Sequence, residues 1–336
     1  MENAVVQGVP NDPPDGSAFF EEWLTFRGNA PRREHLSVDA AKPYRYIWGA
    51  WLRWIASNHA HTRAAPWLEA GPEHLASFLA SGISPSTKRV ERGISEITQR
   101  RYWRLIGTLY EHAIGRGLIA RNPARTIAEK PPRPENHEGQ AFHALQWSAL
   151  GKALPPPDSS SRWDLRDRAI LVLLMECALS TGEVCELLTD QAEVSNKPAV
   201  LHLDGRRAAQ QRTLGLSLAT GQALSDWIKV RRSINSPPPS AARLFVSTKG
   251  GPMSPRAVFH LVATTVERAF RENQLDQPNH VGAQVLRNTR LVMWLNEGVD
   301  PNEVVRRAGY KSRAGFHGLL RHLDADAMAR LRGGAP

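Results

Sequence analysis

The sequence predicts a mainly α-helical protein with one small antiparallel β-sheet, divided into two domains. Three observations carry this. Apolar residues recur at three- and four-residue steps through most of the chain. Strict alternation is confined to residues 198–218. Between the halves, KPPRPENHEGQ (residues 130–140) holds three prolines and a glycine, which forbid continuous helix. The length of 336 residues suits two units, each able to bury its own core.

In chain order, residues 1–17 are rich in Pro, Asn, Asp and Gly without periodicity and read as a mobile tail. A helical domain is expected over residues 18–129. In it Ile47, Trp51, Trp54 and Ile55 share one face, and so do Leu75, Phe78 and Leu79. The next helix, ISEITQRRYWRLIGTLYEHAIGRG, is capped by Ser95 and closed by Gly117. Its apolar face is Ile106, Leu109, Tyr110 and Ala113, which leaves Arg101, Arg104 and Thr108 on another.

After the Pro-rich linker, a second domain is expected over residues 141–323, with a tail at 324–336. AFHALQWSALGKAL reads as a short helix. RWDLRDRAILVLLMECALSTGEVCELL reads as a long apolar one, broken near Gly182. AVLHL and RTLGLSL pair as a hairpin around a turn at Asp204-Gly205. Further helices follow, ending in Gln284–His322, two amphipathic helices around a Gly-Val-Asp turn. This last stretch buries Leu286, Leu291, Trp294, Leu295, Val304 and Val305 and carries a dense set of cations. No internal repeat occurs at a period of 20–50 residues.

Composition narrows the function. A net charge of +10 and a pI near 10.0 favour a polyanionic partner. No apolar run reaches the roughly 18 residues of a spanning helix, and the N-terminus lacks the order of an export signal. The expectation is therefore nucleic acid rather than a membrane, and a cytoplasmic, nucleoid-associated protein. Cys177 and Cys185 are too few for a disulfide framework or a metal set and read as buried thiols. STKGGP lacks the Gly-Lys-Ser/Thr ending of a phosphate-binding loop, so no cofactor is expected.

The order of elements resembles the tyrosine recombinases, or phage integrase family, over residues 36–323. ITQRRYWRLIGTLYEHAIGRGLIARNPA is similar to the end of that family's helical, SAM-like core-binding domain. RDRAILVLLMECALSTGEVCELL, DGRRAAQQRTLGLS, RLFVSTKGGPMSPRAVFHLV and QVLRNTRLVMWLNEGVDPNEVVRRAGYKS are similar, in order, to segments of its catalytic domain. The resemblance implies a C-shaped clamp on double-stranded DNA. It also implies a transesterification in which a tyrosine oxygen attacks a phosphodiester, aided by two arginines, a lysine general acid and two further donors.

Carried over residue by residue, the resemblance departs from that chemistry. The first arginine position holds Glu183. A like charge about 4 Å from a phosphate repels it by roughly 4 kcal/mol at an effective dielectric near 20. No lysine lies between Pro198 and Ile228, where Arg206, Arg207 and Arg212 stand instead. Arginine, with a pKa above about 12, is a weak general acid. The His-x-x-Arg box reads Gln284-Val-Leu-Arg287, the downstream donor position holds Tyr310, and the nucleophile position holds Leu319. Arg287 is the one family position retained, either as a phosphate contact or as the buried partner of Glu183.

The expectation is a duplex-DNA-binding protein of a mobile element, unable to cleave and acting as an accessory or regulatory factor. Expected DNA contacts are Arg100, Arg101 and Arg104 in the first domain. In the second they are Arg206, Arg207, Arg212, Arg287, Arg290, Lys311 and Arg313. An active recombinase using Tyr310 and an interaction subunit for other recombinases remain as alternatives, with an active recombinase or a second copy on DNA as the partner.

Overall fold

A computed structural model describes residues 15–29, 38–58, 65–81, 94, 96–128, 130–131, 139–195, 197–205, 210–237, 242–277 and 281–333. The chain divides into two compact units, residues 1–136 and 137–336.

The first unit contains α1 (Gly16–Gly28), α2 (Val38–Asn58), a 3-10 turn (Pro66–Glu69), α3 (Pro72–Ala80), α4 (Glu96–Gly115) and the single turn α5 (Pro123–Thr126). Its core is aromatic. Phe19, Trp48, Trp51, Trp67 and Phe78 are buried around Tyr110. The Tyr110 hydroxyl accepts from Trp51 Nε1 at 3.1 Å and donates to Trp67 O at 2.7 Å, so the polar atom it buries is satisfied. On α4, Ile106, Leu109, Tyr110 and Ala113 are all buried, while Arg101, Arg104 and Thr108 are exposed. The helix ends as expected at Gly117, whose φ of 69° places it in the left-handed region. Ser95, the expected N-cap, lies outside the described residues.

The second unit contains α6 (Ala144–Lys152), α7 (Arg162–Glu176), α8 (Thr181–Glu186), β1 (Ala192–Glu193), β2 (Val200–Leu203), β3 (Arg212–Gly215), α9 (Leu218–Arg231), α10 (Pro255–Glu272), α11 (Ala283–Asn296), α12 (Pro301–Ala308), a 3-10 helix (Arg313–His322) and α13 (Ala325–Gly333). Helix α7 is buried on every face from Ala169 to Met175, which makes it the centre of this core. Helices α11, α12 and the 3-10 helix close over Leu291, Leu295, Val304, Phe316 and Leu319. Asp300 caps α12, Pro301 opens it, and Gly309 ends it at φ 66°. The segment after His322, in which the sequence permits a short helix, is α13; it buries Ala327, and Arg330 donates to Leu295 O at 2.8 Å.

Two local expectations are corrected. The break after α7 falls not at Gly182 but at Ala178, which has φ 50°, and Gly182 lies inside α8. Ser180 sets the new start by capping α8 at Glu183 N. The β2–β3 connection is not a two-residue turn either. Leu203 pairs with Arg212, so residues 204–211 all lie between the strands. The sheet gains a further antiparallel strand, β1, beside β2; two residues are too few to show alternation in sequence.

Candidate functional site

Helix α11 presents Arg287, strand β3 presents Arg212, and the first turn of α8 presents Glu183. The three side chains meet inside the second unit. Arg212 Nη1 lies 2.6 Å from Glu183 Oε1, and Arg287 Nη1 lies 3.5 Å from Glu183 Oε2. Oε2 also accepts from the backbone N–H and the hydroxyl of Ser180, each at 2.8 Å. One carboxylate therefore holds two guanidiniums together while its helix cap holds it in place.

Other contacts of both arginines are to main-chain oxygens, while Arg212 Nη2 is buried with no hydrogen-bond partner among the described residues. Arg212 Nε donates to Arg307 O at 2.7 Å and Nη1 to Gln210 O at 2.9 Å. Arg287 donates to Ala178 O and Ala308 O, and its guanidinium lies 5.0 Å from the centre of the Tyr310 ring. The left-handed turn at Ala178 thus supplies a carbonyl to Arg287. Both side chains are nearly inaccessible, at 1% exposure for Arg212 and 7% for Arg287.

Burial raises the pKa of Glu183, but the Arg212 hydrogen bond and charge and the Ser180 donors outweigh it and hold the carboxyl below its usual range. A second acid, Glu303, is held down to about 2, first by the Arg306 hydrogen bond, which outweighs burial, and then by the Arg307 hydrogen bond and the charges of both arginines. Both folded-state pKa values are depressed, so their stabilisation is complete above the unfolded carboxyl value and is lost as pH falls through the folded one. The urea midpoint is therefore expected to drop between about pH 4.5 and pH 2. Glu303→Gln should flatten that drop; an unchanged profile would contradict the assignment.

The other expected site residues sit as follows. Gln284 is exposed and donates to Asn288 Oδ1 at 2.8 Å. Leu319 is buried at 3% exposure, against the backbone at Gly139. Tyr310 packs on Phe316 with ring centres 5.7 Å apart. Arg101 and Arg104 are exposed on α4, and Lys311 is exposed after α12. Arg290 lies along Trp294 and is about three-quarters buried. Arg313 donates to Asn302 Oδ1 at 3.0 Å and to Leu331 O at 3.4 Å. Arg206 and Arg207 lie outside the described residues.

Three expected phosphate contacts are turned to other partners. Arg212 and Arg287 face Glu183 and main-chain oxygens, while Arg100 donates to Pro131 O and lies over the Trp103 ring. The role of Arg212 as the nearer partner of Glu183 was the residue-level feature that sequence reasoning missed. Its signal was present: alternation along RTLGLSL puts Arg212 on the same face as Leu214 and Leu216, and all three are buried. The thiols of Cys177 and Cys185 are pushed up to about 12 and about 11, first by burial and then by the adjacent Glu176 and Glu186. Among the described residues no group of His, Cys, Asp and Glu is arranged to hold a metal ion, and no helix is long and apolar enough to cross a membrane.

Comparison with known proteins agrees with this architecture. Residues 149–317 match the phage integrase family profile, about half of the chain. Tyrosine recombinase XerD of Corynebacterium glutamicum is 27% identical over 280 residues, covering 81% of this chain and 88% of its own length. Tyrosine recombinase XerC of Bacillus subtilis is 23% identical, covering 67% of this chain and 70% of its own. Among solved structures, the Tn1549 transposon integrase in complex with a circular intermediate DNA superposes with a TM-score of 0.66 at 14% identity, over 95% of this chain and 98% of that one. The XerH site-specific recombinase bound to its palindromic difH substrate gives 0.67 at 15% identity, over 91% and 81%. With the profile spanning α6 through the 3-10 helix and the fold shared along nearly the whole length, the chain belongs to the phage integrase family of tyrosine recombinases.

Proposed function

We propose that this chain is a non-cleaving member of its family, which binds duplex DNA and serves as an accessory or regulatory factor in recombination or integration by a mobile element. The observation that carries this reading is the Glu183 carboxylate held between Arg212 and Arg287. In the family resemblance, arginines of this domain offset charge on the phosphorane. Here the guanidiniums are neutralised from within, and a phosphate approaching them meets a carboxylate. Leu319, at the position corresponding to the nucleophile, offers no oxygen and lies buried.

DNA affinity then rests on surface cations, chiefly Arg101 and Arg104 on α4 and Lys311 in the second unit, all exposed. Cations of this kind displace counterions from the duplex, so binding weakens steeply with salt. Native gels should show duplex retarded at low salt and freed at high salt. Replacing Arg101 or Arg104 by Ala should weaken binding on every sequence alike and reduce the slope of log K against log salt by about 0.9 for each phosphate no longer neutralised. No retardation at any salt would leave an interaction subunit as the surviving reading.

A further inference from the structure

Within the second unit, the C-terminal end of α7, the end of β3 and the facing sides of α11 and α12 border a cavity of about 270 Å³. Trp294, only 6% exposed, lines it, and so do Arg290 one turn earlier on α11 and Arg307 on α12. The guanidinium carbons of Arg290 and Arg307 lie 5.3 and 5.4 Å from the Trp294 ring centre. The four-residue spacing of Arg290 and Trp294 puts them on one face of α11, and α12 brings Arg307 to that face.

The carboxylates at this cavity already hold protein donors. Glu176 Oε2 accepts from the hydroxyls of Ser217, at 2.6 Å, and Thr220. Glu303 accepts from Arg306 at 2.7 and 2.6 Å and from Arg307 Nε at 2.8 Å. Donors, by contrast, are left over. Arg290 makes one long bond, from Nε to Glu176 O at 3.4 Å, and approaches Glu297 only to 3.9 Å. Among the described residues, the terminal nitrogens of Arg290 and Arg307 and the Trp294 indole N–H have no hydrogen-bond acceptor. An indole N–H on so buried a ring ordinarily finds one. Three arginines (Arg290, Arg306, Arg307) against two glutamates (Glu176, Glu303) also leave the lining one positive charge in excess.

We propose that this cavity binds a small phosphate monoester. A carboxylate offers two oxygens, whereas a phosphoryl group offers three, one for each of Arg290, Arg307 and the Trp294 N–H, and guanidiniums match phosphate geometry well. The cavity has room for more than a phosphoryl group, and Leu214, Cys177 and the Trp294 ring supply apolar wall for an organic stem. Because Trp294 is nearly buried, its N–H is reached by a free ester more readily than by the backbone of a duplex. The site also touches the Glu183 triad through α12. The Arg307 side chain lines the cavity, while its main-chain oxygen accepts from Arg212 Nε at 2.7 Å. An occupant that fixes Arg307 therefore also steadies one of the acceptors of Arg212.

The test is proton–nitrogen NMR of the full chain, following the Trp294 indole signal, which is identified as the one lost in Trp294→Phe. Inorganic phosphate and glycerol phosphate should each move it along a saturating curve, with half-saturation on the order of 1 mM and tighter for the ester. Glycerol, and sodium chloride at matched ionic strength, should leave it in place. Arg290→Gln should raise the half-saturating concentration by about tenfold or more, the loss expected for a charge-assisted hydrogen bond. A Trp294 signal in the parent chain that neither phosphate moves, or that sodium chloride moves equally, would overturn the proposal without recourse to any variant. An unchanged midpoint in Arg290→Gln would overturn it too. A duplex that moves the same signal and competes with glycerol phosphate would put a DNA phosphate in the cavity and overturn the assignment to a free ester.

Discussion

Arg212→Met is expected to lower the unfolding free energy of the second unit by about 3–5 kcal/mol, the range found when one partner of a buried ion pair is removed. The Arg212 side chain is 1% exposed, and its removal leaves Glu183 with only the longer 3.5 Å approach of Arg287 and the Ser180 donors. Arg307 O and Gln210 O each lose a donor too. For a unit of this size the change corresponds to a fall in Tm of roughly 6–20 °C. Adding Glu183→Gln removes the stranded charge and should recover part of the stability. Thermal unfolding followed by circular dichroism reads both effects. A single variant within about 0.5 kcal/mol of the parent, the range of ordinary surface changes, would show that the triad does not support the fold.

Leu319→Tyr is expected to yield no cleaving enzyme. The side chain at 319 lies in the core formed by α11, α12 and the 3-10 helix, pressed against the backbone of Gly139. A larger ring there costs about 1–3 kcal/mol through overpacking, and its hydroxyl starts from the interior. Even with the ring turned outward, the phosphate would still face Glu183, and the two arginines that should receive it are already engaged. The comparison that separates these obstacles is the single variant against Leu319→Tyr combined with Glu183→Arg, incubated with nicked duplex. A covalent band from the single variant would place Glu183 outside the phosphate path.

Much of this was legible in the sequence because it depends on local pattern. The buried face of α4 follows from 3.6-residue periodicity, its end from Gly117, and the separation of α11 from α12 from the Gly-Val-Asp turn at 298–300. What was not legible depends on partners distant in sequence. The break at Ala178 is set by the Ser180 cap and packing beneath α11, so the more obvious Gly182 misdirects. The long β2–β3 connection follows from a register that only pairing fixes.

The site shows the same division. The identities of Glu183, Gln284 and Leu319 stand in the sequence, and so does the suggestion that Glu183 and Arg287 pair. That Arg212 takes the shorter contact requires the sheet to be placed against α8. Charge counting also overstated the free cation in Gln284–His322. Glu303 sits three and four residues before Arg306 and Arg307, and it holds both.

The most direct test of the central claim is covalent trapping by the parent chain. Incubated with nicked duplex and separated on a denaturing gel, the protein should leave the labelled DNA unshifted, although the same mixture is retarded on a native gel at low salt. A DNA band shifted by the mass of the protein would show that the chain attacks a phosphodiester, and would contradict the account.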